Sequence, residues 1–356
     1  MHGLNGDPHR TWTAEISKIF WPAQLLPPVL AEERARILVY GYDADVTSFT
    51  DGASRDKIHN HAEHLVAELA ANRRLRKCME RPIIFVAHSL GGLVVKRALI
   101  YSSEIRGNYT EHLRSVFVST YGILFLGTPH KGSDIAEWGS RLEWICGAVM
   151  PKKFVDTQPQ LVEALKKDNE TLQNIDRQFI QLTSRFHIYF FHESKPTNLK
   201  GTLRFIVDEE SASPNIQDVE RAGIQADHSH MCKFESDNGP GFDLVAEGIQ
   251  RYAGEAPAMI IPRWTSERAE RDAKKRAEIQ ERFPGGYCHD IVEVHPLTCL
   301  GSTLNTPHTD SSGSANPSPG KTQLALPGIE NEGPMEAIAA PEVEEPADEE
   351  MVGVER

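Results

Sequence analysis

No stretch of this 356-residue sequence stays apolar for the roughly 18 residues that a membrane-spanning helix needs. A basic excess is missing too: 38 Lys and Arg stand against 51 Asp and Glu, a formal net charge of −13. Phosphate backbones and anionic lipid select basic surfaces, so nucleic-acid binding and electrostatic docking on membranes are poor fits. Cysteine is scarce. Cys78, Cys146, Cys232, Cys288 and Cys299 are odd in number and form no CxxC pair. The pattern predicts neither a disulfide framework nor a zinc site, and it suits a reducing compartment. The opening MHGLNGDPHR has no apolar core and no basic lead, so it does not read as a secretion signal. No internal repeat is found.

What is present suits a globular α/β protein. The chain is 40% hydrophobic and 25% charged, enough apolar material for one substantial core. The acid is concentrated at one end. From Pro327 onward ten acidic residues face a single Arg, which leaves the rest of the chain at −4.

Short apolar runs alternate with helical patterns over residues 1–255. Ala35–Tyr42, Arg81–His88, Gly122–Gly127 and Arg185–Phe191 read as strands buried on both faces, with Leu203–Val207 a weaker fifth. Asp56–Arg73 reads as a helix. So does the stripe Leu161, Leu165, Leu172, Ile175, Phe179 and Leu182. The alternation predicts an α/β fold, a mostly parallel sheet with helices on both faces. Residues 256–283 read as a linker and a charged helix, Thr265–Phe283, with no face able to join a core. Residues 284–356, rich in Pro, Gly, Ser, Thr and Glu, read as a disordered acidic tail.

The sharpest local signal is Val86-Ala87-His88-Ser89-Leu90-Gly91-Gly92, between a buried strand and an apolar helix. This is the setting of a nucleophile elbow. Small residues two before and two after Ser89 let a strained turn close, and the helix N-terminus lends partial positive charge to a developing oxyanion. Oxyanion donors are expected at the backbone N–H of Leu90 and of Leu4, the latter in the His2-Gly3-Leu4-Asn5-Gly6 loop. The order nucleophile, acid, His then points downstream. Glu193 ends the fourth strand, with Asp208 as the alternative acid. His228, in Ala226-Asp227-His228-Ser229-His230, is the expected general base, with His230 as the alternative. His130 precedes the acid, the wrong order for a triad base. It is expected to face substrate or to serve its loop structurally, and His2 is expected to face substrate. Ser133–Val155, with Trp138, Trp144, Ile145 and Val149, reads equally as a lid or acyl-chain wall and as ordinary helix packing.

Five motifs in order carry a family likeness: HGLNGDPHRTWT, RILVYGYDA, IIFVAHSLGGLVVKRALI, GILFLGTPHKGSD and DHSHMCKF. Together they resemble the serine active-site-containing, lipase-like α/β-hydrolases, of the type common in fungi and often fused there to nucleotide-binding and repeat domains. The likeness spans about residues 1–255. It implies an α/β-hydrolase fold and a serine esterase or lipase that needs no cofactor and no metal. The expected substrate is an ester or lipid, and peripheral membrane contact is within its scope. The resemblance also implies a link to lipid metabolism and an intracellular setting, cytoplasmic or associated with mitochondria or endoplasmic reticulum. Carried over by position, Ser89 is the nucleophile, His228 the base and Glu193 the acid, where related lipases use Asp.

Two departures are expected. Ala315–Thr322 matches a relaxed Walker A spacing, but its prolines lack phosphate-cradling N–H groups and no strand precedes it, so no nucleotide site is predicted. In such hydrolases an apolar strand also leads into the His-Gly loop, in the middle of the sheet. None precedes His2 here, so a gap in the sheet and an N-terminally truncated gene product are expected. That gap supports a second reading, a catalytically inactive hydrolase-fold module that binds a partner. The oligomeric state is left open.

Overall fold

The computed structural model describes residues 1–44, 57–107, 109–130, 144–145, 147–148, 169–199, 201–212 and 216–282. A four-stranded parallel sheet organises them. Its strands are β1 (Ile83–His88), β2 (Thr120–Leu126), β3 (His187–Glu193) and β6 (Glu220–Ile224), in the order β1-β2-β3-β6. β4 (Thr197–Leu199) and β5 (Thr202–Arg204) form a separate antiparallel hairpin. All seven positions of β2 are buried, which is why TYGILFL shows no alternation. Five longer helices accompany the sheet: α1 (Lys57–Leu75), α2 (Gly91–Glu104), α3 (Glu111–Ser119), α4 (Asn169–Ile180) and α5 (Phe242–Arg282). Parallel neighbours need such crossovers, and α2, α3 and α4 fall between consecutive strands.

The expected strands at Arg81–His88, Gly122–Gly127 and Arg185–Phe191 are present within a few residues of their expected bounds. Three expectations are corrected. Residues 35–42 are not a strand. A strand needs a paired neighbour, and between residues 35–40 and β1 lies a cavity of about 400 Å³. Leu203–Val207 does not join the main sheet, and only Leu203 and Arg204 pair, within the exposed hairpin. The linker expected from residue 256 is helix with a core face, whereas the charged segment after Trp264 is exposed through Arg282 except at Glu267, Arg271 and Glu278. Both belong to α5, which runs unbroken past residue 255 and through Pro257 and Pro262. Ile260, Trp264 and Glu267 are buried. Trp264 Nε1 donates to Ser119 Oγ at 3.0 Å, Arg263 donates to the Thr120 carbonyl at 2.8 Å, and Arg114 pairs with Glu267 at 2.7 Å. Polar side chains thus fasten the helix to the N-terminal end of β2, a mode that hydrophobic periodicity does not register. The acidic tail, the Walker-like segment, and Leu161 and Leu165 of the apolar stripe lie outside the described residues. No helix among the described residues is long and apolar enough to cross a membrane.

Candidate active site

β1 delivers the chain to Ser89, and α2 carries it away. Between them Ser89 adopts φ 53°, the left-handed region that disfavours a side chain. Such a conformation persists only where the surroundings hold it. Here the Ser89 N–H donates to the Leu126 carbonyl at 2.9 Å, and Thr128 Oγ1 donates to the Ser89 carbonyl at 3.0 Å. Both clamps come from β2 and the loop after it. The reward of the strained turn is position: Ser89 Oγ projects from the C-terminal end of the sheet, beside the start of a helix.

The His2–Gly6 loop lies directly on this turn. A Cβ on Gly3 would come within 2.7 Å of Ser89 Cβ, and one on Gly91 would run into the His2 carbonyl, so both glycines are required for the approach. Leu4 and Leu90 are buried next to Ser89 in sequence or in space. Neither backbone N–H has a hydrogen-bond acceptor among the described residues. The Asn5 N–H binds the Ala44 carbonyl at 2.7 Å and fixes the far end of the loop.

Opposite Ser89 stands His228, wholly buried, with Nε2 at 3.0 Å from Ser89 Oγ. Its Nδ1 faces Glu193 Oε2 at 3.7 Å. Glu193 is itself buried at the end of β3. Its other oxygen, Oε1, accepts the backbone N–H groups of Ile206 and Val207. Burial disfavours charge on both partners. It pushes the Glu193 carboxyl up to about 8, against the pull of the two N–H donors. Burial, with the nearby His88 ring adding to it, pushes His228 well below its usual range. The pair is therefore mainly neutral near pH 7 while the site is empty. Sequence reasoning passed over His88. Its Nε2 contacts the His228 carbonyl at 2.9 Å and its ring lies 5.0 Å from the His228 ring. Burial holds His88 at about 4, hence neutral, with Nε2–H as the donor. Its place beside Ser89 at a strand end was the available signal.

The alternatives separate clearly. Asp208 acts on Glu193 as a like charge, and its Oδ1 accepts from the Ser211 N–H and Oγ, starting the helical turn Glu209–Ala212. His230 is half-exposed and engaged by Asp227 at 2.6 Å. His2, expected to face substrate, lies in the loop against Ser89. Its buried ring stacks on Tyr42 at 4.5 Å, with Nε2 accepting the Tyr42 N–H, so it braces the loop. His130 is buried between the Phe125 and Phe190 rings, and neither ring nitrogen has a hydrogen-bond partner among the described residues. Most of Ser133–Val155, including Trp138 and Val149, lies outside the described residues. Ile145 is buried in the core and Trp144 packs under the Arg204 guanidinium at 5.1 Å. Among the described residues no cluster of His, Cys, Asp or Glu is arranged to hold a metal ion.

No protein-family model matches the chain. Protein SERAC1 of Danio rerio is 27% identical over 258 residues, 66% of this chain and 36% of that protein. Protein SERAC1 of Homo sapiens is 26% identical over 257 residues, 65% of this chain and 35% of that protein. The chain thus spans about a third of the length of the curated relatives it matches. Among solved structures, a lipase from Bacillus licheniformis superposes with a TM-score of 0.38 and 16% identity, over 65% of this chain and 84% of that one. A hydrolase from Oleispira antarctica gives 0.36 and 12%, over 70% and 89%. The chain thus has an α/β fold, a four-stranded parallel sheet with a strand–turn–helix at Ser89, and is similar to the SERAC1 proteins over about two thirds of its length.

Proposed function

We infer that this chain is a serine hydrolase acting on carboxylic esters through an acyl-enzyme. The observation that carries the reading is the 3.0 Å contact between His228 Nε2 and the Oγ of a serine held at φ 53°. That geometry suits proton transfer, and the strained turn suits a nucleophile and little else. In this reading Ser89 Oγ attacks the ester carbonyl as His228 Nε2 takes its proton. The Leu4 and Leu90 N–H groups, which have no acceptor among the described residues, stabilise the oxyanion. His228 then returns the proton to the leaving alcohol, and the acyl group stays on Ser89. Water, deprotonated by His228, attacks the acyl-enzyme and releases the carboxylic acid, restoring Ser89. Glu193, once ionised, stabilises the imidazolium and keeps the ring oriented. The Ser89–His228 geometry supports acyl transfer; the choice of an ester, of a lipid ester and of a part in lipid metabolism draws on the family resemblance. The competing reading, an interaction module without turnover, draws on the 3.7 Å separation of Glu193 from His228, which is longer than a hydrogen bond.

A fluorophosphonate probe separates the two. Labelling of the wild type that is lost in Ser89→Ala and strongly reduced in His228→Ala supports the hydrolase. A well-folded chain that takes no label is the interaction module, and label surviving Ser89→Ala places the nucleophile elsewhere.

A further inference from the structure

A second cavity, of about 800 Å³, lies at the end of the sheet opposite Ser89, where β2 and β3 begin beside α5. Cavities of about 300–1,000 Å³ are the size that small molecules occupy. Arg185 enters it two residues ahead of β3, Arg263 from α5 and Arg114 from α3.

Three guanidinium groups and three carboxylates line the walls, and they do not match up. Glu267 is taken by Arg114 at 2.7 Å, and Arg271 adds a second guanidinium to it at 3.5 Å. Glu255 accepts the Tyr121 hydroxyl at 2.8 Å, and Glu270 is exposed. Among the described residues no carboxylate pairs with Arg185 or Arg263. Arg263 directs its donors to the Thr120 and Arg185 carbonyls and the Met259 sulfur, so its charge stays unmatched. The Arg185 guanidinium lies 4.7 Å over the Phe117 ring with its Nε buried. None of its N–H groups has an acceptor among the described residues. Burial first, then Arg114, pulls Arg185 below its usual range, although Glu267 and Glu270 act against them; burial, then Arg185, does the same to Arg263. A guanidinium does not give up its proton in a protein, so the cost stays as uncompensated charge.

We propose that this cavity is a binding site for a phosphate group, held between the guanidinium groups of Arg185 and Arg263. A guanidinium fork meets phosphate oxygens with two N–H bonds at a time, and the open donors of Arg185 supply such a fork. Two unmatched cations suit a dianion, which a phosphomonoester approaches at pH 7 and a carboxylate does not. The rings of Tyr121 and His187, stacked at 4.4 Å, give the same cavity an aromatic wall for the body of a phosphate-bearing molecule. A bound phosphate joins the entry of β3 to α5, so occupancy stabilises the fold. The inference does not depend on the chemistry of Ser89.

Titration calorimetry of the full chain with phenyl phosphate and, separately, with inorganic phosphate tests the site, at an ionic strength held constant with sodium chloride. At least one of the two should bind saturably with a Kd at or below about 1 mM. At about ten times that Kd it should raise the melting temperature by about 2–4 °C. Tighter binding of phenyl phosphate assigns the site to a phosphomonoester, and equal or tighter binding of inorganic phosphate assigns it to the free ion. Arg185→Gln removes a guanidinium that makes no hydrogen bond among the described residues, so the variant should stay folded and lose about tenfold or more in affinity for both compounds. Arg263→Gln, which keeps an amide donor, should weaken binding similarly. Absence of saturable binding by either compound overturns the proposal. So does unchanged affinity in Arg185→Gln, which would place the phosphate elsewhere. A rise in melting temperature that Arg185→Gln shares in full is the general effect of phosphate as a salt and overturns it as well.

Discussion

Replacing Gly3 by Ala probes the contact on which the proposed oxyanion site rests. The new methyl would lie 2.7 Å from Ser89 Cβ, 3.2 Å from the His88 carbonyl and 3.3 Å from Ser89 Oγ. Carbon atoms rest at about 3.5–4.0 Å, so the loop and the serine turn must part by about 1 Å. The serine side cannot give easily, because Leu126 and Thr128 clamp it from β2 and its loop. The His2–Gly6 loop moves instead and carries the Leu4 N–H away from Ser89. Overpacking of this kind costs about 1–3 kcal/mol of stability. Misplacing one donor by about 1 Å costs about a hundredfold in turnover. The assay is hydrolysis of a short-chain p-nitrophenyl ester, with the rate of fluorophosphonate labelling in parallel. Gly248→Ala is the control, since its methyl meets the Tyr189 ring at 3.0 Å, on α5 and away from Ser89. It should lower the melting temperature and leave kcat unchanged. Wild-type turnover in Gly3→Ala, or a loss that Gly248→Ala matches at equal stability, would refute the argument that Gly3 positions Leu4.

Three other expectations follow from the same geometry. Esterase kcat/KM should rise between pH 7 and 9 with a midpoint near 8 as Glu193 ionises, and Glu193→Gln should abolish that rise; a flat wild-type profile would contradict it. In stability, a folded carboxyl raised from 4.5 to about 8 stabilises below 4.5 and loses that contribution as pH climbs to 8. The lowered His228 acts oppositely but is neutral in both states above about 6.5, so denaturant titrations between pH 6.5 and 8 should show the wild type weakening and Glu193→Gln holding steady. His88→Phe should leave the His228 carbonyl without its donor and lower kcat by about tenfold to a hundredfold with KM little changed. His88→Gln, which keeps a donor, should recover part of the loss, a rescue that simple packing damage would not show. Trp264→Ala should cost about 3–5 kcal/mol by calorimetry while esterase turnover per folded molecule persists; a change below 1 kcal/mol would mean that the far half of α5 is not fastened as described.

The sequence was most informative where one residue type has one use. Ser89 could be located because a strand, small residues and an apolar helix surround it, and the structure sets its φ at 53°. His228 and Glu193 could be nominated from chain order, and the fold sets His228 against Ser89 and Glu193 against the far side of the His228 ring. What stayed hidden was relational. Glu220–Ile224 reads as Glu-Arg-Ala-Gly-Ile, too polar and too short to announce a strand, yet it is the edge strand, and one side of it is solvated. Residues 35–42 are rich in strand formers, but a cavity separates residues 35–40 from β1, and propensity alone does not pair a chain. Trp264 and Glu267 lie just before and just inside a run of charge and alanine, and they are fastened to Ser119 and Arg114, more than a hundred positions away.

The Met1 nitrogen donates to the Val86 carbonyl at 2.8 Å and the Met1 carbonyl accepts the His88 N–H at 3.0 Å, a parallel bridge level with Ala87 that works as an index. Two residues beyond Ala87 is Ser89, and two residues beyond Met1 is Gly3. The two chains leave their common rung together and meet again at the same count, so that the residue without a side chain arrives where the serine needs space. Adding one residue between Met1 and Gly3 would set Gly3 off that count and bring His2, with its imidazole, to the serine in its place. Chemistry at the top of the sheet is thus dimensioned by arithmetic along its edge.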